Sequence, residues 1–174
     1  MKTKITFIIL VLLLISCTKK EDTNSFQFES FTFSYAGLNH DNSIKFTKSD
    51  TVYFQKKYPE PKENFYAILK KNERNELNKL IRQLDYKIYD SIYAENNLQD
   101  GQSYLLNFSK DKTNKWIFIY GDNAPEKIYA FIKSLGEFKT KLKFIPTKKN
   151  INFGYLKYNL SPPPPPPLKI DSLK

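Results

Sequence analysis

The sequence predicts an α+β domain, a largely antiparallel β-sheet with two helices packed on one face, and three observations lead there. Short runs between residues 26 and 69 alternate apolar and polar side chains with period two. Two later stretches, 72 to 84 and 123 to 136, repeat apolar residues at i, i+3, i+4 and i+7. Aromatic residues make up 16% of the chain, with 14 Phe and 12 Tyr, so burial alone can supply a core. A β-rich open barrel crossed by the same helices is the alternative arrangement.

Phe26 and Phe28 alternate with polar neighbours, and Phe31, Phe33 and Tyr35 follow on the opposite parity, which predicts a first strand bulged at Glu29-Ser30. Ile44 and Phe46 mark a second strand. A turn at Lys48-Ser49-Asp50 leads into a third at 51 to 55, and Pro59 and Pro61 separate it from a fourth at 64 to 69. These strands suit a meander with one wet face.

Asn72 is expected to cap the first helix, with Glu73 and Glu76 at its positive end and Leu77, Leu80, Ile81 and Leu84 as its apolar stripe. The second is expected to start from Asn123, with Pro125 in its first turn, Glu126 completing a capping box and Gly136 ending it. Ile128, Phe131, Ile132 and Leu135 form its stripe. Between the helices, residues 104 to 109 and 115 to 120 flank a loop at 110 to 114 and read as a hairpin. Beyond Gly136, Phe138, Thr140, Leu142 and Phe144 alternate with Lys139, Lys141 and Lys143, which predicts a strand with a basic outer face. A last strand is expected at 151 to 160, slipping phase near Gly154. The six prolines from Pro162 to Pro167 then enforce polyproline II, about 19 Å long at about 3.1 Å per residue. Apolar periodicity ends at Leu160, so residues 161 to 174 are expected to be dispensable for folding.

The N-terminus carries an address. Lys2 and Lys4 precede an apolar run from Ile5 to Ile15, which as a helix of 11 residues spans about 16 Å, far short of a bilayer core of about 30 Å. It is therefore a signal and not a membrane span. The run ends in Leu14-Ile15-Ser16-Cys17, which resembles the lipobox of bacterial lipoproteins. The resemblance implies cleavage between Ser16 and Cys17 and acylation of Cys17, which then joins the chain to membrane lipid. Cys17 is the one cysteine, so no intramolecular disulfide is available. The chain thus divides into a signal at 1–16, a lipidated tether at 17–24, a domain at 25–160 and a proline tail at 161–174. The seven tether residues after Cys17 reach about 24 Å when extended. Among them Lys20-Glu21-Asp22 resembles the acidic export signal of surface-exposed lipoproteins in Bacteroidota, which implies an outer-membrane location, facing either the surface or the periplasm.

The formal charge is +10, and loss of Lys2 and Lys4 with the signal lowers it by two to +8. Arg74 and Arg82 are the only arginines, whereas phosphate and base recognition favours the guanidinium fork, so lysine-rich solvated faces are expected and nucleic acid is not. The single histidine, His40, lies in Asn39-His40-Asp41-Asn42, a sequence that a turn explains, and no second cluster joins it as metal ligands. Neither a metal nor another cofactor is expected. Asp85, Asp90 and Asp100 lie among Tyr86, Tyr89 and Tyr93, where paired carboxylates between aromatic platforms could serve a carbohydrate-active hydrolase. Asp100-Gly101 is explained more simply as a turn. The leading expectation is a membrane-anchored, non-catalytic binding or structural module whose tyrosines and lysines meet an envelope protein or glycan. The hydrolase is the alternative.

Residues 26 to 138 resemble a lipoprotein domain of unknown function common in Bacteroidota. The resemblance runs from the first helix through Asp90-Ser91-Ile92-Tyr93, Asp100-Gly101 and the hairpin to Gly121-Asp122-Asn123-Ala124-Pro125. It implies the same order of elements and brings no activity with it.

Overall fold

A computed structural model describes residues 26–95, 98 and 101–154. The last six residues of the expected C-terminal strand, the proline tail and Asp100 lie outside them. The described residues form an α+β fold of β1 (Ser30–Ala36), β2 (Asp41–Thr47), β3 (Thr51–Tyr58), β4 (Glu63–Ile68), α1 (Lys71–Gln83), β5 (Ile92–Ala94), β6 (Ser103–Lys110), β7 (Thr113–Tyr120), α2 (Glu126–Thr140) and β8 (Ile145–Thr147). All eight strands share one sheet in the order β5-β7-β6-β1-β2-β3-β4-β8. Neighbours are antiparallel except β5 and β7, which run parallel. The sheet is open, with β5 and β8 at its edges, and is not a barrel.

Register explains the core. Phe31 lies opposite Phe46 and Phe108, and Phe33 lies opposite Ile44 and Leu106, so alternation sends these side chains to one face. Phe31 stacks between Phe46 at 5.8 Å and Phe108 at 4.7 Å, ring centre to ring centre. The same cluster holds Leu77 and Ile81 of α1 and Ile128, Phe131, Leu135 and Phe138 of α2. Phe131 comes within 6.0 Å of Phe31, and Phe138 within 6.2 Å of Phe46.

Several element boundaries differ from those the sequence predicts. Phe26 and Phe28 precede β1 without belonging to a strand, yet both are buried, so the change of parity marks a bend and not a bulge. α1 begins at Lys71, because the Glu73 carboxylate accepts the Lys70 backbone N–H at 2.7 Å; Asn72 sits within the first turn. α2 begins at Glu126 with Pro125 as its cap residue, so Asn123 and Glu126 form no capping box. α2 also runs through Gly136 to Thr140, which overturns the strand expected from Phe138 onward. Phe138 lies three residues beyond Leu135 and is 1% exposed; burying it contributes about 1.5–3 kcal/mol against about 1 kcal/mol for glycine in a helix. The hairpin turn is only Asp111-Lys112, with Asp111 at φ 52°, a left-handed conformation that aspartate tolerates. Residues 151–154 form no strand.

The opposite face of the sheet is polar, but it is not wet. Ser34 and Ser43 are 0% exposed, Thr32 2%, Gln55 3% and Asn107 8%. They pair laterally: Ser34 Oγ meets Ser43 Oγ at 2.6 Å, Gln55 Nε2 donates to Asn64 Oδ1 at 2.7 Å, and Asn107 Nδ2 donates to Asn114 Oδ1 at 2.8 Å. Water is kept from this face by burial that a bare sheet does not provide.

Candidate functional site

α1 ends at Gln83, and the chain turns back over the core through Leu84 and Tyr86. Tyr86 is held by its ring, stacked on Phe108 at 4.5 Å and edge-on to Phe28 at 5.2 Å. Lys115 of β7 then pins the following residues, its Nζ donating to the Tyr89 carbonyl at 2.6 Å and reaching Ser91 Oγ at 3.4 Å. Between this segment and the β6–β7 turn lies a cleft of about 570 Å³. Arg82, Lys87, Lys110 and Lys115 line it against one carboxylate, Asp85, while Leu84 and Tyr86 give it an apolar and aromatic floor. Four cations facing one anion across so small a volume create a positive potential that attracts an acidic ligand, and the Tyr86 ring offers a stacking surface for a sugar.

A second cleft, of about 450 Å³, lies at the other end of the hairpin and brings together Tyr35, His40, Gln102 and Asp122. His40 is exposed, and its carbonyl accepts the Gly37 N–H at 2.9 Å, which is the turn its neighbours predict. Near this end Tyr35 and Tyr104 approach to 5.4 Å, and Tyr104 meets Tyr129 at 6.2 Å. Burial, with the neighbouring phenols of Tyr35 and Tyr129 and the Asp122 carboxylate second to it, pushes the Tyr104 hydroxyl above the ordinary tyrosine range. Tyr129 Oη donates to the Gly121 carbonyl at 3.0 Å and accepts the Ala124 N–H at 3.3 Å. Gly121 is at φ +82°, and a Cβ there would meet Glu95 Oε2 at 2.5 Å, so this corner requires glycine.

The residues singled out from the sequence scatter. Ser16, Cys17, Lys20, Glu21 and Asp22 lie outside the described residues, as does Asp100. Asp85 lines the basic cleft; Asp90 does not, its backbone N–H donating instead to Tyr93 Oη at 2.9 Å. Arg74 is committed to structure, with Nε on Asp50 Oδ1 at 3.0 Å, Nη1 on the Thr47 carbonyl at 3.1 Å and Nη2 on the Ser49 carbonyl, which ties α1 to the β2–β3 turn. Among the described residues no group of three or more His, Cys, Asp or Glu side chains could hold a metal ion. Among them no helix is long and apolar enough to cross a membrane. The basic cleft itself escapes the sequence, because its cations come from α1, from the residues after it and from both strands of the hairpin. The one signal is that Lys110 and Lys115 flank the hairpin turn.

The family model of the Domain of unknown function (DUF6438) matches residues 40–139, more than half of the chain. The chain belongs to this family. No curated protein matches it. The DUF6438 match starts after β1, although β1 lies between β6 and β2 at the centre of the sheet. It includes all four cations of the basic cleft.

Proposed function

We propose that this DUF6438 protein is a lipoprotein anchored in a bacterial outer membrane through acylated Cys17, and that its domain binds an acidic envelope glycan in the basic cleft without catalysing a reaction on it. The carrying observation is the set of Arg82, Lys87, Lys110 and Lys115 around an aromatic floor with one carboxylate. In this reading α1 and α2 lie together on the apolar sheet face, supported by the approach of Phe131 to Phe31 and of Phe138 to Phe46, and they leave the cleft rim open. Asp85 and Asp90, which do not line one cleft, offer no acid and base pair there.

Polygalacturonate is a suitable probe. Joint replacement Lys87→Glu and Lys110→Glu turns two attractive charges into repulsive ones and is expected to weaken binding by about tenfold or more, which corresponds to about 1.4 kcal/mol. Both side chains are exposed, so the melting temperature should stay near that of the parent. Isothermal titration at low and physiological salt checks this; equal affinity for parent and variant at low salt contradicts the cleft as the site. The tether carries a separate expectation. Protease shaving of intact cells should remove the parent protein, and alanine at Lys20, Glu21 and Asp22 should protect it. Full protection of the parent places the protein on the periplasmic side.

A further inference from the structure

The second cleft differs in chemistry from the basic one, and the acidic-glycan reading makes no use of it. Three corners of the chain build it at one end of the sheet. At the first, the Gly37 N–H donates to the His40 carbonyl at 2.9 Å and closes the β1–β2 turn. Gly37 also lets Tyr35 lie across this corner, since a Cβ there would come within 2.5 Å of Tyr35 Oη. At the second, the Gly101 N–H donates to Tyr120 Oη at 3.3 Å and that hydroxyl donates to the Leu98 carbonyl at 2.9 Å, which ties the chain before β6 to the end of β7. At the third, the Gly121 N–H donates to the Gln102 carbonyl at 3.1 Å, and the Asp122 N–H to Glu95 Oε2 at 3.4 Å. These bonds hold the walls of a cleft of about 450 Å³, inside the range of about 300–1,000 Å³ that small-molecule sites occupy.

The side chains around it select a class of ligand. Asn39, His40, Gln102 and Asp122 line it, and all four are exposed. The two amides offer donors and acceptors together, and the Asp122 carboxylate only accepts. Sugar hydroxyls, each donor and acceptor at once, match that set. An ammonium ion only donates and would leave the amide N–H groups without partners. An acidic ligand would meet Asp122 and the neighbouring Glu95 with no cation opposite, because among the described residues no lysine or arginine lines the cleft. Leu38 lines it too and, at 75%, is the most exposed large apolar side chain among the described residues. With the half-buried Tyr35 ring it supplies the apolar contact that the C–H face of a pyranose takes.

We propose that this cleft is a second binding site, selective for a neutral sugar residue, in which Asn39, Gln102 and Asp122 take the ring hydroxyls while Leu38 and Tyr35 take the apolar face. It works independently of the basic cleft. The two are separated by the length of β6, eight residues or about 27 Å.

The test uses the full chain, held in a detergent whose head group is not a sugar. Cellotetraose, maltotetraose and mannotetraose are the probes, read by saturation-transfer NMR and isothermal titration. At least one is expected to bind the parent with a Kd of about 1 mM or tighter, at low and at physiological salt alike. Gln102→Ala with Asp122→Ala should weaken that binding about tenfold or more, and Leu38→Ser should weaken it by less. All three side chains are exposed, so far-UV circular dichroism and melting temperature should stay those of the parent. Lys87→Glu with Lys110→Glu should leave this affinity unchanged, and Gln102→Ala with Asp122→Ala should leave polygalacturonate binding unchanged, so either cleft can fail without the other. No binding of any of the three probes at about 10 mM overturns the proposal, and spermidine binding lost in the Gln102→Ala, Asp122→Ala variant would then assign the cleft to a cation. Sugar affinity unchanged in both the double variant and Leu38→Ser overturns it as well, as does an equal loss in the Lys87→Glu, Lys110→Glu variant.

Discussion

Phe31→Ala is expected to remove about 3–5 kcal/mol of folding free energy. The Phe31 ring is 0% exposed and lies on the central strand β1, between Phe46 and Phe108, with Phe131 of α2 at 6.0 Å. Truncation removes contacts to all three and leaves a cavity that neighbours on two strands and a helix cannot jointly fill. Domains of this size hold about 5–15 kcal/mol in total, so the variant is expected to be marginal or unfolded. Urea denaturation checks it: the midpoint should fall steeply while the slope stays that of the parent. A contrasting change, Leu38→Ala, alters a side chain that is 75% exposed and should move the midpoint little. Equal midpoints for Phe31→Ala and the parent contradict the packing described.

The strands at the centre of the sheet were legible because Phe31-Phe33 and Ile44-Phe46 alternate with period two, and burial of one face demands that pattern. The two helices were legible from their apolar stripes. Their ends were not. Gly136 looks like a stop, but a glycine whose added Cβ would meet nothing within 4 Å is tolerated mid-helix when Phe138 beyond it buries its ring. Phe138 and Leu142 fit alternation and helical spacing equally, so period alone could not choose. β5 has three residues and takes its place by pairing with β7, a partner more than 20 residues away. The expectation of a wet face fails because serine, threonine and glutamine look the same whether water or another part of the chain covers them. The basic cleft assembles lysines from separate elements, which only the fold brings together.

Cys17→Ala is expected to abolish membrane attachment altogether. Buried methylenes contribute about 0.8 kcal/mol each, and a single myristoyl chain binds only reversibly, with a constant of about 10⁴ M⁻¹. The two or three chains implied by the lipobox therefore make the difference between permanent anchoring and none. The apolar run of 11 residues from Ile5 to Ile15 is shorter than the about 20 that a membrane-spanning helix needs. The variant should lose acyl-lipid labelling and accumulate as uncut precursor, because the proposed reading makes the cysteine both the lipid acceptor and the residue after the cleavage point. Metabolic labelling with an alkyne fatty acid, followed by fractionation, reads both effects. The result is independent of the cleft: a labelled parent that fails to bind polygalacturonate removes the glycan reading and leaves the anchor intact.

The anchor is the central claim, since location, orientation and the supply of partners all follow from it. Its most direct measurement is the intact mass of the parent protein extracted from membranes. The predicted mass is that of residues 17–174 plus a diacylglyceryl group on Cys17, with or without a third acyl chain on the new amine. A mass equal to unmodified residues 17–174, to a product cut at another bond, or to the whole chain from Met1 contradicts it.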